Sequence, residues 1–179
     1  QDQPLRVVND GAELVVAEGI HGNASLASSG ESHLSGTSTY TGPTIVVSGG
    51  TLTAANTGAL SPVSTTLIGR DASIEVTGEQ DVHRLLIRDQ GSMESTDPGS
   101  ASSLASKSII NLGDINLDSI QLEDGMTRFL DRVIERRGFQ IPVDSPLRKI
   151  KAQGSLKNLG GSIILNGDLT FESDGYAGG

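Results

Sequence analysis

Residues that could do chemistry are few and widely spaced in this chain. It holds three histidines, His21, His33 and His83, and no cysteine, so no pair of imidazole or thiolate groups has the spacing of zinc ligands. Its 22 acidic residues are scattered along the sequence, whereas glycoside hydrolysis needs two carboxylates held close together. We therefore predict no catalytic residue, no metal site and no cofactor, and we expect that the protein is not an enzyme.

A serine and a histidine are adjacent in the segment Gly30-Glu31-Ser32-His33-Leu34. A serine nucleophile needs a sharp, glycine-flanked turn and a histidine that reaches its hydroxyl group. The segment lacks the second glycine of such a turn. The sequence therefore favours an exposed polar turn at this position over a catalytic pair.

Asp114, Asn116 and Asp118 match the first three ligand positions of an EF-hand calcium loop. That loop also requires a glycine and a terminal glutamate where this chain has Ser119 and Gly125. Aliphatic residues separate the three polar ones, which is the alternation of a strand. We predict an outward polar row here rather than a calcium site.

Basic residues are concentrated in one region of an acidic protein. The net charge of −9 and the pI near 4.7 disfavour nucleic acid as a partner, because phosphate binding requires clustered Lys and Arg. Within residues 121–151, however, the basic residues predict either a surface for an anionic host-cell glycan or protein, or charges that pair with acidic residues elsewhere. The candidate interaction surface consists of Arg128, Arg132, Arg136, Arg137, Arg148 and Lys149.

Short aliphatic strands between Gly, Asn and Asp turns must position any such surface. Apolar residues that follow these turns recur 22, 19, 22 and 54 residues apart, at Leu52, Ile74, Met93, Ile115 and Leu169. A period of about 20 residues is typical of stacked repeats, and one turn of that length can hold three short strands. Since aromatic residues are rare and glycine is frequent, we predict an all-β, right-handed parallel β-helix, a solenoid with a narrow aliphatic interior.

Alternate side chains of each strand are predicted to face that interior. The residues assigned to this rung core are Val47, Leu52, Leu67, Ile74, Val76, Ile87, Ile115, Leu117, Leu165 and Leu169.

The long last interval predicts one helical insertion near residues 121–151. We assign residues 1–120 to β-helix rungs and residues 152–179 to resumed rungs. Within the insertion, one helix face is formed by Met126, Phe129, Leu130, Val133 and Ile134, which follow the helical repeat. This pattern predicts an amphipathic helix at about residues 125–137, followed by an extended arm that contains two prolines.

A repeat motif lies within residues 36–77. The segments Thr39-Tyr40-Thr41-Gly42, Gly49-Gly50-Thr51-Leu52 and Asn56-Thr57-Gly58-Ala59-Leu60 follow one another in order. This arrangement resembles the autotransporter-associated β-strand repeat, although Pro43 stands where that family more often has glycine. The residue types suit a strand corner, because glycine supplies the positive φ of a tight turn and Leu52 would face inward.

The resemblance implies a bacterial autotransporter passenger, secreted by the type V route or displayed on the cell surface. Export through the outer membrane would use the protein's own C-terminal β-barrel translocator, which is not in this chain. We therefore expect a fragment of a larger passenger that serves adhesion or virulence, with a host-cell protein or glycan as partner. The alternatives are a polysaccharide-binding or polysaccharide-cleaving β-helix of the tailspike or lyase type, and an autochaperone or self-association segment.

Overall fold

The protein is an all-β solenoid of about six turns, built from stacked parallel strands. The computed structural model describes residues 5–97, 99, 101–122, 139–140, 155–159 and 162–171. The predicted parallel β-solenoid is therefore confirmed. The predicted helix at about residues 125–137 lies outside the described residues.

The strands form two parallel sheets. Sheet A contains nine strands: β1 (Leu5–Asn9), β3 (Ala24–Ser28), β5 (Thr44–Val46), β7 (Thr65–Ile68), β9 (Glu79–Ile87), β11 (Ser103–Asn111), β13 (Ser119–Leu122), β15 (Ser155–Asn158) and β17 (Leu169–Phe171). Sheet B contains eight strands: β2 (Leu14–Val16), β4 (Glu31–Leu34), β6 (Thr51–Ala54), β8 (Ser73–Val76), β10 (Ser92–Ser95), β12 (Asp114–Leu117), β14 (Phe139–Gln140) and β16 (Ile163–Leu165). Chain order alternates between the two sheets, so each turn of the solenoid adds a strand to both.

Strands β9 and β11 divide sheet A into two columns, because each is nine residues long. Strands β7 and β15 pair with their C-terminal halves, while β13 pairs with the N-terminal half of β11. We call the column of β1, β3, β5, β7, the two C-terminal halves and β15 the first face. Sheet B is the second face. The column of the two N-terminal halves, β13 and β17 is the third face.

The register of the second face explains the sequence period. Successive strands pair in register through Leu52, Ile74, Met93 and Ile115, which confirms the steps of 22, 19 and 22 residues. The prediction that Leu169 is the next member of this series is wrong. The register partner of Ile115 is Ile163, whereas Leu169 pairs with Ile120 on the third face.

Inward-facing aliphatic side chains form one continuous core. Eight of the ten residues assigned to the rung core are buried: Leu52, Ile74, Val76, Ile87, Ile115, Leu117, Leu165 and Leu169. The prediction that Val47 faces the interior is wrong, because Val47 is 43% exposed. The same prediction for Leu67 is wrong, because Leu67 is only half-buried on an outward position. Their neighbours Val46 and Ile68 occupy the interior instead. All three residues of Ile45-Val46-Val47 are apolar, and two of the three in Thr66-Leu67-Ile68 are, so hydrophobicity alone does not determine which one points inward.

Corner glycines allow successive turns to approach closely. Gly49 has a φ of +79°, a conformation that glycine adopts without steric cost. A Cβ atom on Gly113 would lie 1.9 Å from the carbonyl oxygen of Gly91, one turn below. These corners therefore require glycine for two different reasons, backbone conformation at the first and contact between backbones at the second.

Buried polar side chains are satisfied by bonds between turns. Asn9 donates through Nδ2 to the Glu31 carbonyl oxygen at 2.7 Å and to Ser32 Oγ at 2.9 Å. At the other end of the first face, Asn111 donates through Nδ2 to Asn158 Oδ1 at 3.0 Å. These bonds replace the hydration that the amides lose on burial.

The strands on either side of the predicted insertion are described. Leu122 is in register with Ser106, and Ser155 is in register with Ser108. The described strands before and after this stretch therefore flank Lys107, at the corner between the third and first faces, and within the stretch β14 pairs with β16 of the second face. The resumed strands β15, β16 and β17 add to the same columns as the strands before the insertion.

Candidate interaction surfaces

Ser32 and His33 lie on strand β4 rather than in the exposed turn predicted for them. Ser32 is buried and shares a hydrogen bond of 2.7 Å with Ser28 Oγ. His33 points to the outer side of the strand, since neighbouring side chains of a strand alternate in direction. The two side chains cannot meet, and Ser32 belongs to the polar core.

The other imidazoles are separate from one another. His21 is exposed, and its Nδ1 lies 2.8 Å from Thr39 Oγ1. His83 lies on β9, on a different turn of the solenoid. Among the described residues, no three His, Asp or Glu side chains are grouped closely enough to hold a metal ion.

Asp114 and Asp118 bind the turns of neighbouring rungs. Asp114 Oδ1 accepts hydrogen bonds from Ser162 N at 3.0 Å and from Ser162 Oγ at 2.7 Å. Asp118 accepts from the backbone N–H of Gly99 at 2.9 Å and of Ser102 at 3.0 Å. Both carboxylates therefore connect turns to each other, which is a structural use of the polar row that the sequence predicted.

The third face carries a shallow groove of about 430 Å³ beside Asp81, Ala105 and Gln121. These three residues are in register on adjacent strands. Partial burial raises the pKa of the Asp81 carboxyl, and the nearby Lys107 ammonium opposes this shift. The groove offers hydroxyl, amide and carboxyl groups to a ligand, and its two acids are the half-buried Asp81 and the exposed Glu79 on the same strand.

The first face carries an outward-facing apolar row on six successive rungs. Its members are in register and consist of Val8, Ala27, Ile45, Leu67, Leu86 and Ile110. At the next rung the row ends at Lys157. Val8 is 54% exposed, whereas Ala27 is buried. Rungs are spaced about 4.8 Å apart, so the row is about 24 Å long.

Basic side chains border this apolar row. Arg84 and Arg88 lie two residues before and after Leu86, and both are exposed; Arg84 is on β9 and Arg88 directly follows its end. Arg70 lies one rung earlier, in the corner between β7 and β8, and pairs with Asp89 at 3.3 Å. All basic residues that the structure describes lie on the first face or directly beside it: Arg6, Arg70, Arg84, Arg88, Lys107 and Lys157.

A depression of about 400 Å³ joins the apolar row to this basic border. Ile45, Val47 and Leu67 contribute apolar surface to it. Arg70 and Arg88 contribute positive charge, and Asp89, the partner of Arg70, contributes one carboxylate. No local sequence pattern indicates this surface, because its residues are spread over more than forty positions and only the register brings them together.

The candidate surface predicted from the sequence, Arg128, Arg132, Arg136, Arg137, Arg148 and Lys149, lies outside the described residues. The described strands on either side of residues 123–154 flank Lys107. The six described Lys and Arg residues and the seven within residues 121–151 account for all 13 Lys and Arg residues of the chain.

Within the described part of the chain, no helix is long and apolar enough to cross a membrane. No protein-family model, curated protein or solved structure matches the chain.

Proposed function

We propose that this protein is a structural and presentational segment of a secreted or cell-surface bacterial passenger exported by the type V route. Its work would be mechanical, holding adhesive surfaces away from the cell on a stiff shaft. The observation that supports this proposal is the unbroken in-register stack of the second face, from β2 through β16. Each rung is stabilised by hydrogen bonds and core contacts with its neighbours, and these continuous contacts would make the shaft stiff.

The residues that support the resemblance also fit this proposal locally. Tyr40 and Leu60 are buried, and the Tyr40 carbonyl accepts a 2.7 Å hydrogen bond from Ser61 Oγ one turn away. Asn56 donates to the carbonyl oxygen of Ser35 at 2.8 Å. The motif residues thus form a packed corner between rungs, which is a use that a repeating passenger unit requires.

A display experiment tests the proposal. The chain, fused between a signal peptide and an autotransporter β-barrel, is expected to reach the cell surface and become accessible to added protease. Leu52→Asp should block folding of the rungs and reduce display, because it buries an unpaired charge. Thr53→Asp is the matched control, since Thr53 faces outward on the same strand. Retention of the unaltered fusion inside the cell, or equal display of both variants, would contradict the proposal.

Polysaccharide binding is the second candidate function, and the two shallow depressions on the outer faces favour it. Binding would be compatible with a presentational shaft, since elongated ligands can lie along stacked rungs. A self-association or autochaperone role remains an alternative, which light scattering of the purified chain over a concentration series would detect.

A further inference from the structure

We propose that the first face binds an anionic polysaccharide, whose acidic groups contact Arg84 and Arg88 while its sugar rings lie on the apolar row. This inference rests on the proposed function, because it names the class of ligand that the shaft would bind. It uses residues of the solenoid itself and does not depend on the insertion.

Segregation of charge is the first observation. All described Lys and Arg residues lie on or beside the first face, where the corner acids Asp71 and Asp89 accompany Arg70 and Arg88. Further outward acids lie on the second face, among them Glu31, Glu75 and Glu94. The two faces belong to separate sheets of the solenoid. The Debye length is about 8 Å at physiological ionic strength, so an anion at the first face interacts mainly with the local basic residues.

Available cationic groups are the second observation. Arg84 and Arg88 are exposed, and the ion pair found among the described residues engages Arg70 with Asp89 instead. A guanidinium group presents several N–H donors in a planar fork, which suits sulfate and carboxylate oxygens. The two arginines lie on either side of Leu86, so one ligand segment that crosses Leu86 can contact both.

The apolar row is the third observation, and it favours a polymer over a small anion. A small anion needs only the arginines, whereas Ile45, Leu67 and Leu86 offer a continuous apolar surface between and beside them. Sugar rings combine polar edges with apolar C–H faces. An extended chain lying along the axis would cover this row and place acidic substituents at successive rungs.

Binding of heparin, measured by isothermal titration calorimetry at low and physiological salt, tests the proposal, with neutral dextran as the negative probe. R84Q/R88Q is expected to weaken heparin binding at least about tenfold, since it removes two charge-assisted contacts. T53E/N116D is the matched control, because it changes the net charge by the same amount on the second face. This control should change the affinity less than about twofold. Leu67→Ser should also weaken binding, and circular dichroism must show that every variant is folded.

Several results would overturn the inference. Equal loss in the two double variants would mean that net charge alone controls binding, and unchanged binding of R84Q/R88Q would place the site elsewhere, for example on the basic residues of the insertion. Absence of heparin binding together with concentration-dependent self-association would indicate that a second copy covers this face. These results are independent of the display experiment, so a failed display with intact heparin binding refutes the proposed function and leaves the binding site.

Discussion

Ile74 offers a direct test of how much one rung depends on its inward side chain. It is fully buried, and it lies in register between Leu52 and Met93, which are also fully buried. Ile74→Ala removes three carbon atoms, each worth about 0.8 kcal/mol in transfer free energy. The backbone ladders on both sides hold the neighbouring rungs in place, so a cavity should remain. We expect the free energy of unfolding to fall by about 3 to 4 kcal/mol, within the range found for such truncations.

Leu67→Ala is the matched control, because Leu67 is an aliphatic residue of similar size that faces outward and is half-buried. Its truncation should lower the free energy of unfolding by only about 1 kcal/mol, since an outward position leaves no enclosed cavity and the side chain is already in partial contact with solvent. Urea unfolding followed by circular dichroism measures both values. Equal destabilisation by the two variants would refute the assignment of inward and outward positions, and with it the core described above.

Three further predictions concern the corners and the titratable groups. Gly113→Ala should lower the melting temperature far more than Gly49→Ala, because only the former would place a Cβ atom against backbone, as thermal unfolding of both variants will show. Burial raises the pKa of Tyr40, so its contribution to stability should be present below about pH 10 and lost at higher pH; Tyr40→Phe should reduce this alkaline loss in urea titrations. Partial burial raises the pKa of Asp81, so Asp81→Asn should raise the melting temperature at pH 7 and leave it unchanged near pH 3.

Composition and spacing were sufficient to predict the solenoid, because a narrow stacked core needs a regular period and few large side chains. The predicted period is confirmed on the second face, where Leu52, Ile74, Met93 and Ile115 stack in register. The phase of the strands on the first face was harder to predict. In Thr66-Leu67-Ile68, two aliphatic residues and a threonine compete for the interior, and the structure buries the threonine together with Ile68.

The burial of Thr66 shows why apolar patterning fails there. Thr66 is in register with Thr44 on one side and Leu85 on the other, so its direction follows from the phase of its neighbours in the ladder. Its hydroxyl group is buried and, within the described part of the chain, makes no hydrogen bond. A threonine that faces the core at this cost is not expected from its sequence alone.

The same dependence on register explains why the candidate site was not visible in the sequence. Clustering of charge in the sequence predicts an interaction surface within residues 121–151, where basic residues follow one another closely. In a solenoid, however, residues about twenty positions apart are neighbours, and residues one position apart point to opposite sides of a strand. Ile45, Leu67 and Leu86 form a continuous surface, whereas the adjacent Ser32 and His33 share none. A surface that binds an extended ligand must therefore be sought along the columns of such a protein, and the first face is the column on which apolar and basic side chains coincide.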